Sequence, residues 1–193
     1  MKTIDKRMIQ SQQKIIRAFD ELLQKYDYQQ LSKAQITKTA QVNRSTFYAH
    51  YDNKQAVLTQ LLSQNYLVDL KRTLASNAPL EQLASEKILH TILMIHQKTE
   101  VKYPKAYLDI KTVLSNEMIE MLEVYFKELW LENRQVNVAE VNFMASLCSW
   151  GMYGVAMRCA NQELSLLVAC QQFEQLIVHY LITDKSKTSS RVS

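Results

Sequence analysis

Two glycines and two prolines in 193 residues leave this chain almost no means of making the tight turns a β-sheet needs. Hairpins ask for Asn-Gly, Asp-Gly or a glycine at positive φ, and neither Gly151 nor Gly154 stands in such a context. Leu, Gln, Ala, Glu and Lys are abundant, and 47% of residues are apolar, enough to bury a full core. The expected fold is all-α, with about nine helices. The longest uncharged run, 141–157, carries Asn142, Ser146 and Ser149 and is too short for a membrane span. No apolar stretch follows the polar first residues, so a secretory signal is not expected and the protein should be cytoplasmic.

Local signals are densest between residues 32 and 54. Ser32-Lys33-Ala34-Gln35 fits a capping box and predicts a helix from Lys33 to Ala40, with Ile36 and Ala40 facing inward. Asn43 is a favoured N-cap, so a second short helix should begin at Arg44. Phe47 and Tyr51, four apart, share its buried face, while Arg44, Ser45, Thr46 and Tyr48 fall elsewhere around it. Only Gln41, Val42 and Asn43 separate the helices, which makes a helix-turn-helix whose second helix can enter a DNA major groove. Upstream, Ile15, Phe19, Leu22 and Tyr26 repeat at helical spacing and predict a longer helix packed across the pair, with Leu31 and Val42 plugging the gaps. Charge agrees with this reading: residues 1–55 carry ten Lys and Arg against five Asp and Glu, whereas the remainder carries thirteen against fourteen. A basic excess confined to one end suits phosphate binding, although RNA or an anionic membrane would ask for the same sign.

The run Ile36, Ala40-Gln41-Val42, Thr46-Phe47-Tyr48, Tyr51 and Lys54 resembles, in pattern and order, the N-terminal domain of the tetracycline-repressor (TetR/AcrR) family of transcription regulators. The resemblance covers about Ile15 to Leu62. It implies that Arg44, Ser45, Thr46, Tyr48 and His50 read bases and backbone, that Lys54 holds a phosphate, and that Ser32 and Lys33 touch the backbone. One departure is Gln41, where the family commonly has glycine. Gln must either adopt a positive φ at a cost or let the turn settle differently.

Beyond residue 53 the helix opening at Lys54 should continue to about Leu74, joining a DNA-binding domain (1–53) to a helical effector-binding and dimerisation domain (54–183), before a frayed tail (184–193). Breaks are expected at Ser76–Pro79, Val101–Pro104, Ser115-Asn116 and Asn133–Asn137. Asn137 and Glu140 form a second capping-box pattern for a helix from Val138 to about Ala160, and a last helix should cover roughly Leu164 to Ile182. Gly151 and Gly154 lie inside the penultimate helix, where each costs roughly 1 kcal/mol against Ala. They would mark a kink or tight packing within the chain, or else close approach of another helix near Cys148, Gly151 and Gly154 across a dimer interface. The family resemblance favours the dimer, because there the last two long helices of each subunit form a four-helix bundle. Phe143 to Arg158 also resembles regulatory domains of a firmicute-type branch.

Cys148, Cys159 and Cys170 are expected as buried thiols, with an intersubunit disulfide as the sharper alternative. Four histidines show no paired spacing for a metal, no cofactor motif is present, and there is no phosphate loop, nucleophile elbow or carboxylate pair, so an enzyme is not expected. The resulting expectation is a homodimeric repressor of a palindromic double-stranded DNA operator. It would be released by an effector of unknown identity; a small apolar inducer, a protein co-regulator and no ligand at all remain open from the sequence, and no membrane partner is expected. An activator, a protein-interaction adaptor or a nucleoid-structuring protein would use the same features.

Overall fold

The computed structural model describes residues 6–76, 82–133 and 137–176, and among them the only regular structure is helical. In chain order the helices are α1 (Lys6–Leu23), α2 (Lys33–Ala40), α3 (Arg44–His50), α4 (Lys54–Leu62), α5 (Val68–Ser76), α6 (Gln82–Lys102), α7 (Tyr107–Asn133) and α8 (Val138–Ala160). A further helix, α9, begins at residue 166 and is described as far as 176. The all-α expectation is met.

The described residues divide into two compact units: those within 1–68 and 96–114, and those within 69–95 and 115–193. In the first, Ile15, Phe19 and Leu23 of α1, Leu31, Ile36 of α2, Phe47 of α3 and Val57, Leu58 and Leu61 of α4 form a continuous apolar core. Their side chains share no polar atoms, so burial is favourable at about 25 cal/mol per Å². In the second, Ile88, Leu89 and Ile92 of α6, Met118, Leu122, Phe126 and Trp130 of α7, and Met144, Cys148 and Met152 of α8 are buried, and the Phe126 and Phe173 rings lie 6.2 Å apart.

Several expected boundaries move. Tyr26 does not continue the stripe of α1: the helix ends at Leu23, Lys25 and Tyr26 N–H groups close onto the Leu22 carbonyl, and Tyr26 is exposed. Leu23 occupies the deep position instead. The helix from Lys54 does run unbroken to Ser76, but through a π-helical segment at Ser63–Leu67, where Tyr66 and Leu67 are buried. No break occurs at Ser115-Asn116. Ile110, Leu114, Met118 and Leu122 carry one buried stripe through that point, and two residues that are neither Gly nor Pro do not outweigh it. The Val101–Pro104 break is present, between α6 and α7. Helix α8 starts and ends where expected, although Asn137 Oδ1 accepts from the Ala139 N–H at 3.0 Å, one position earlier than the box geometry. Residues 77–79 of the Ser76–Pro79 break, 177–182 of the last helix and the 184–193 tail lie outside the described residues.

Candidate nucleic-acid interface

The geometry of α2 and α3 is set by their caps. Ser32 Oγ accepts from the Gln35 N–H at 3.2 Å, and Gln35 Oε1 accepts from the Ser32 N–H at 2.8 Å, so the capping box forms. At the other end Gln41 adopts φ 53°, ψ 45°, with its N–H on the Lys38 carbonyl and the Val42 N–H on that of Thr37. Of the two outcomes open to a non-glycine here, the chain takes the left-handed one, which costs an L-residue on the order of 1 kcal/mol. Asn43 then caps α3: its Oδ1 accepts from the Thr46 N–H at 2.7 Å and from the hydroxyls of Ser45 and Thr46 at 2.8 and 2.6 Å. Both hydroxyls therefore turn toward the cap in the free protein and would have to rotate to meet DNA.

The buried side of α3 is Phe47, whose ring lies 6.0 Å from that of Tyr51. The other side presents Tyr48, 43% exposed. Lys33 Nζ donates to the Tyr48 hydroxyl at 3.1 Å, and the Arg44 guanidinium carbon sits 5.8 Å from the ring centre. Hydrogen bonds from these two cations, Lys33 first, hold the Tyr48 phenol below the ordinary tyrosine pKa. Lys33, Ala34, Thr37, Arg44, Phe47 and Tyr48 line a cleft of about 400 Å³ between α2 and α3. Thr37 had no signal in the sequence beyond its place one turn from Lys33.

Lys33, Arg44 and Lys54 are the first residues of α2, α3 and α4, and none of these helices has an acid in its first turn. A cation at the positive end of a helix dipole is unfavourable by some tenths of a kcal/mol to about 1 kcal/mol. At Lys33 and Arg44, beside the exposed Tyr48, this concentrates positive potential, the pattern expected where a polyanion docks.

The remaining expected contacts are less free. His50 Nε2 lies 2.7 Å from Ser11 Oγ on α1, and Ser11 Oγ also lies 3.0 Å from the Met8 carbonyl oxygen. One hydroxyl carries one proton, so Ser11 donates either to the Met8 carbonyl or to His50, and in both cases the imidazole is held against α1. Lys54 Nζ donates to the carbonyls of Tyr28, Gln29 and Leu31. Residues far along the sequence also belong to this unit: Asp20 accepts from Lys102 and from the fully buried Tyr103, while Gln29 donates to Asp109 at 2.5 Å. Burial, then Asp20, pushes the Tyr103 phenol far above its ordinary pKa. Nothing local in the sequence marks these pairings.

On α8 the positions around Gly151 and Gly154 separate into two faces. Cys148 is 2% exposed and packed within its own chain beside Met144 and Met152, and burial raises its thiol to about 11. Burial raises Cys159 and, to about 11, Cys170 as well, and all three thiols are free. The opposite face carries Phe143, Leu147 and Trp150, exposed by 66, 53 and 62%, with Gly154 next on the same stripe. Among the described residues, a Cβ on Gly151 would meet the Phe173 ring at an ordinary 3.8 Å, and one on Gly154 would meet nothing within 4 Å. Among the described residues no three His, Cys, Asp or Glu side chains are grouped to hold a metal, and no helix is long and apolar enough to cross a membrane.

Residues 15–61 match the family model described as bacterial regulatory proteins, tetR family. Over 65 residues the chain is 34% identical to an uncharacterized HTH-type transcriptional regulator, YxbF, of Bacillus subtilis, covering 33% of this chain and 17% of that protein. Over 61 residues it is 33% identical to the HTH-type dhaKLM operon transcriptional activator DhaS of Lactococcus lactis, covering 32% of this chain and 33% of that protein. The matches thus span a third or less of the length of these relatives. Among solved structures, that of the dihydroxyacetone kinase operon activator DhaS aligns with 89% of this chain and 96% of its own at a TM-score of 0.51 and 16% identity, a likeness of fold.

Proposed function

We propose, starting from a chain that belongs to the TetR family of DNA-binding transcription regulators, that it acts as a homodimer on a palindromic operator and is released when an effector binds its helical C-terminal part. The observation that carries the DNA-reading part is the pair of cations opening α2 and α3, Lys33 and Arg44, gathered on the exposed Tyr48. In this reading Ser32 and Lys33 hold the backbone, and Arg44, Ser45, Thr46 and Tyr48 present side chains to the groove, with His50 fixed at the far end of α3. In this reading the roles divide at residue 53/54, with 54–183 serving effector binding and dimerisation, even though α4 and residues 96–114 pack into the same compact unit as α1 to α3.

Two further arguments support the dimer. One short helix reads too few base edges to select a site, whereas two related by a dyad read half-sites about 34 Å apart. The exposed stripe of Phe143, Leu147, Trp150 and Gly154 gives α8 a second apolar face, and among the described residues neither glycine is demanded by packing. A partner helix approaching from outside would offset their cost of roughly 1 kcal/mol each. Cys148 belongs to the opposite, inward face and supports this interface only by filling the core behind it.

Release follows by linkage: an effector that prefers a conformation with the two α3 helices off their spacing weakens DNA binding by the factor by which DNA weakens its own. A second reading, an activator, is favoured by the related DhaS, a transcriptional activator of the dhaKLM operon. Transcription from a promoter carrying the selected operator decides between them. A rise in transcript on adding the protein would replace the repressor reading with the activator.

A further inference from the structure

We infer that Lys54 is a positioning residue of the DNA-reading surface and not itself a phosphate contact. The inference rests on the DNA-reading role proposed above and reverses what the family resemblance implies for this one residue.

An ammonium group has three N–H donors and no acceptor. Lys54 Nζ lies 2.8 Å from the Tyr28 carbonyl, 3.3 Å from that of Gln29 and 3.1 Å from that of Leu31, so each proton already has a partner. The same nitrogen sits 4.4 Å from the centre of the Tyr28 ring. A phosphate oxygen could reach it only by displacing a carbonyl, two of which accept in part-buried surroundings. Leaving such an acceptor unmade removes much of what the new contact would contribute.

The carbonyl cluster also answers a local question. Lys54 opens α4 with no acid in the first turn, the wrong charge for that end of the dipole. Three carbonyl oxygens gathered on its ammonium supply the negative ends that the helix itself does not. What they hold is the turn 28–31, closed by the Gln30 N–H on Asp27 and the Leu31 N–H on Tyr28. Leu31 is buried, and the next two residues are Ser32, the cap of α2, and Lys33. Lys33 in turn donates to the Tyr48 hydroxyl on α3 and, at 3.5 Å, to the Asp52 carbonyl just before α4. Lys54 therefore fixes where α2 begins, and through Lys33 where Tyr48 stands.

The test uses the full-length protein and measures the dissociation constant against salt, on its selected operator and on a scrambled duplex. The variants are Lys54→Met, Lys54→Arg and, as a phosphate-contact control, Lys33→Ala. A lost phosphate contact flattens the slope of log K against log salt by about 0.9 and weakens both duplexes alike. The expected result is that Lys54→Met keeps the slope and the scrambled-duplex affinity while operator binding falls roughly tenfold, the scale of one displaced base contact. Lys33→Ala should flatten the slope. Lys54→Arg keeps the charge but carries its donors in a rigid fork that does not fit three converging carbonyls, so it too should lose operator preference. It also serves if Lys54→Met fails to fold. A flattened slope in Lys54→Met, an unchanged operator affinity in that variant, or wild-type behaviour of Lys54→Arg would each overturn the positioning role. A wild-type protein with no preference for any duplex would overturn the DNA-reading proposal itself.

Discussion

Trp150→Ala should convert a dimer into a monomer without harming the fold of either subunit. The ring presents 62% of its surface to solvent in the single chain. A tryptophan has about 200 Å² to bury, so roughly 120 Å² would be covered at a partner, which at ~25 cal/mol per Å² is about 3 kcal/mol. The dyad counts it twice, giving ~6 kcal/mol if cover is complete and about half of that if it is not. The dissociation constant of the dimer should then rise between about a hundredfold and ten-thousandfold. Alanine is the better helix former, so helical content and thermal unfolding of the dissociated subunit should hold or improve. Sedimentation equilibrium over a range of concentrations reads the constant directly. A variant that dimerises as tightly as wild type would refute the assignment of this face, and a wild-type chain that stays monomeric at tens of micromolar would refute the dimer.

Other consequences are open to direct test. Tyr48→Ala should keep helicity and self-association while operator affinity falls by ~1 to 3 kcal/mol in fluorescence anisotropy, and unchanged binding would mean that α3 presents another face. Gln41→Gly should stabilise the protein by about 0.5 to 1 kcal/mol in urea unfolding, since glycine sheds the left-handed strain but gives back part in unfolded-chain entropy. A destabilised Gln41→Gly would show that the turn is not left-handed in solution. His96 is buried against the Tyr107 hydroxyl, and burial, with Lys111 nearby, lowers its pKa from 6.5 to about 4. Between those values the unfolded chain takes up a proton that the folded chain refuses, so stability falls as pH drops from about 6.5 to 4 and levels below that, by on the order of 3 kcal/mol. Comparing the pH dependence of urea midpoints for wild type and His96→Phe isolates this loss, and parallel curves would contradict it.

The parts of the fold that were legible in the sequence are those set by neighbours three or four residues apart. Ser32 with Gln35, Asn43 with Thr46 and Asn53 with Ala56 close their caps locally, so the starts of α2, α3 and α4 could be read off. The π-helical segment after Leu62 has no such signature, and the absence of a break at Ser115-Asn116 depended on burial that reached over weak formers. Helix α8 is apolar on nearly every side, so periodicity alone gave no way to tell that Cys148 faces inward and Trp150 outward. At the candidate interface the residue types were visible and their partners were not. Ser11 meets His50 across 39 residues, Lys54 reaches back 23 to 26, and Asp20 meets Tyr103 across 83. Such pairings come from tertiary packing, which a one-dimensional pattern carries only when a resemblance supplies it.

The most direct test of the central claim is selection of bound fragments from a random DNA pool by the purified protein at about 50 and 200 mM salt, with the mass of the selected complex measured alongside. A palindrome with half-sites about one helical turn apart, retained at the higher salt and bound by an even number of subunits, is the predicted result. A pool that stays random at both salts, or a single asymmetric site held by one subunit, would contradict the account.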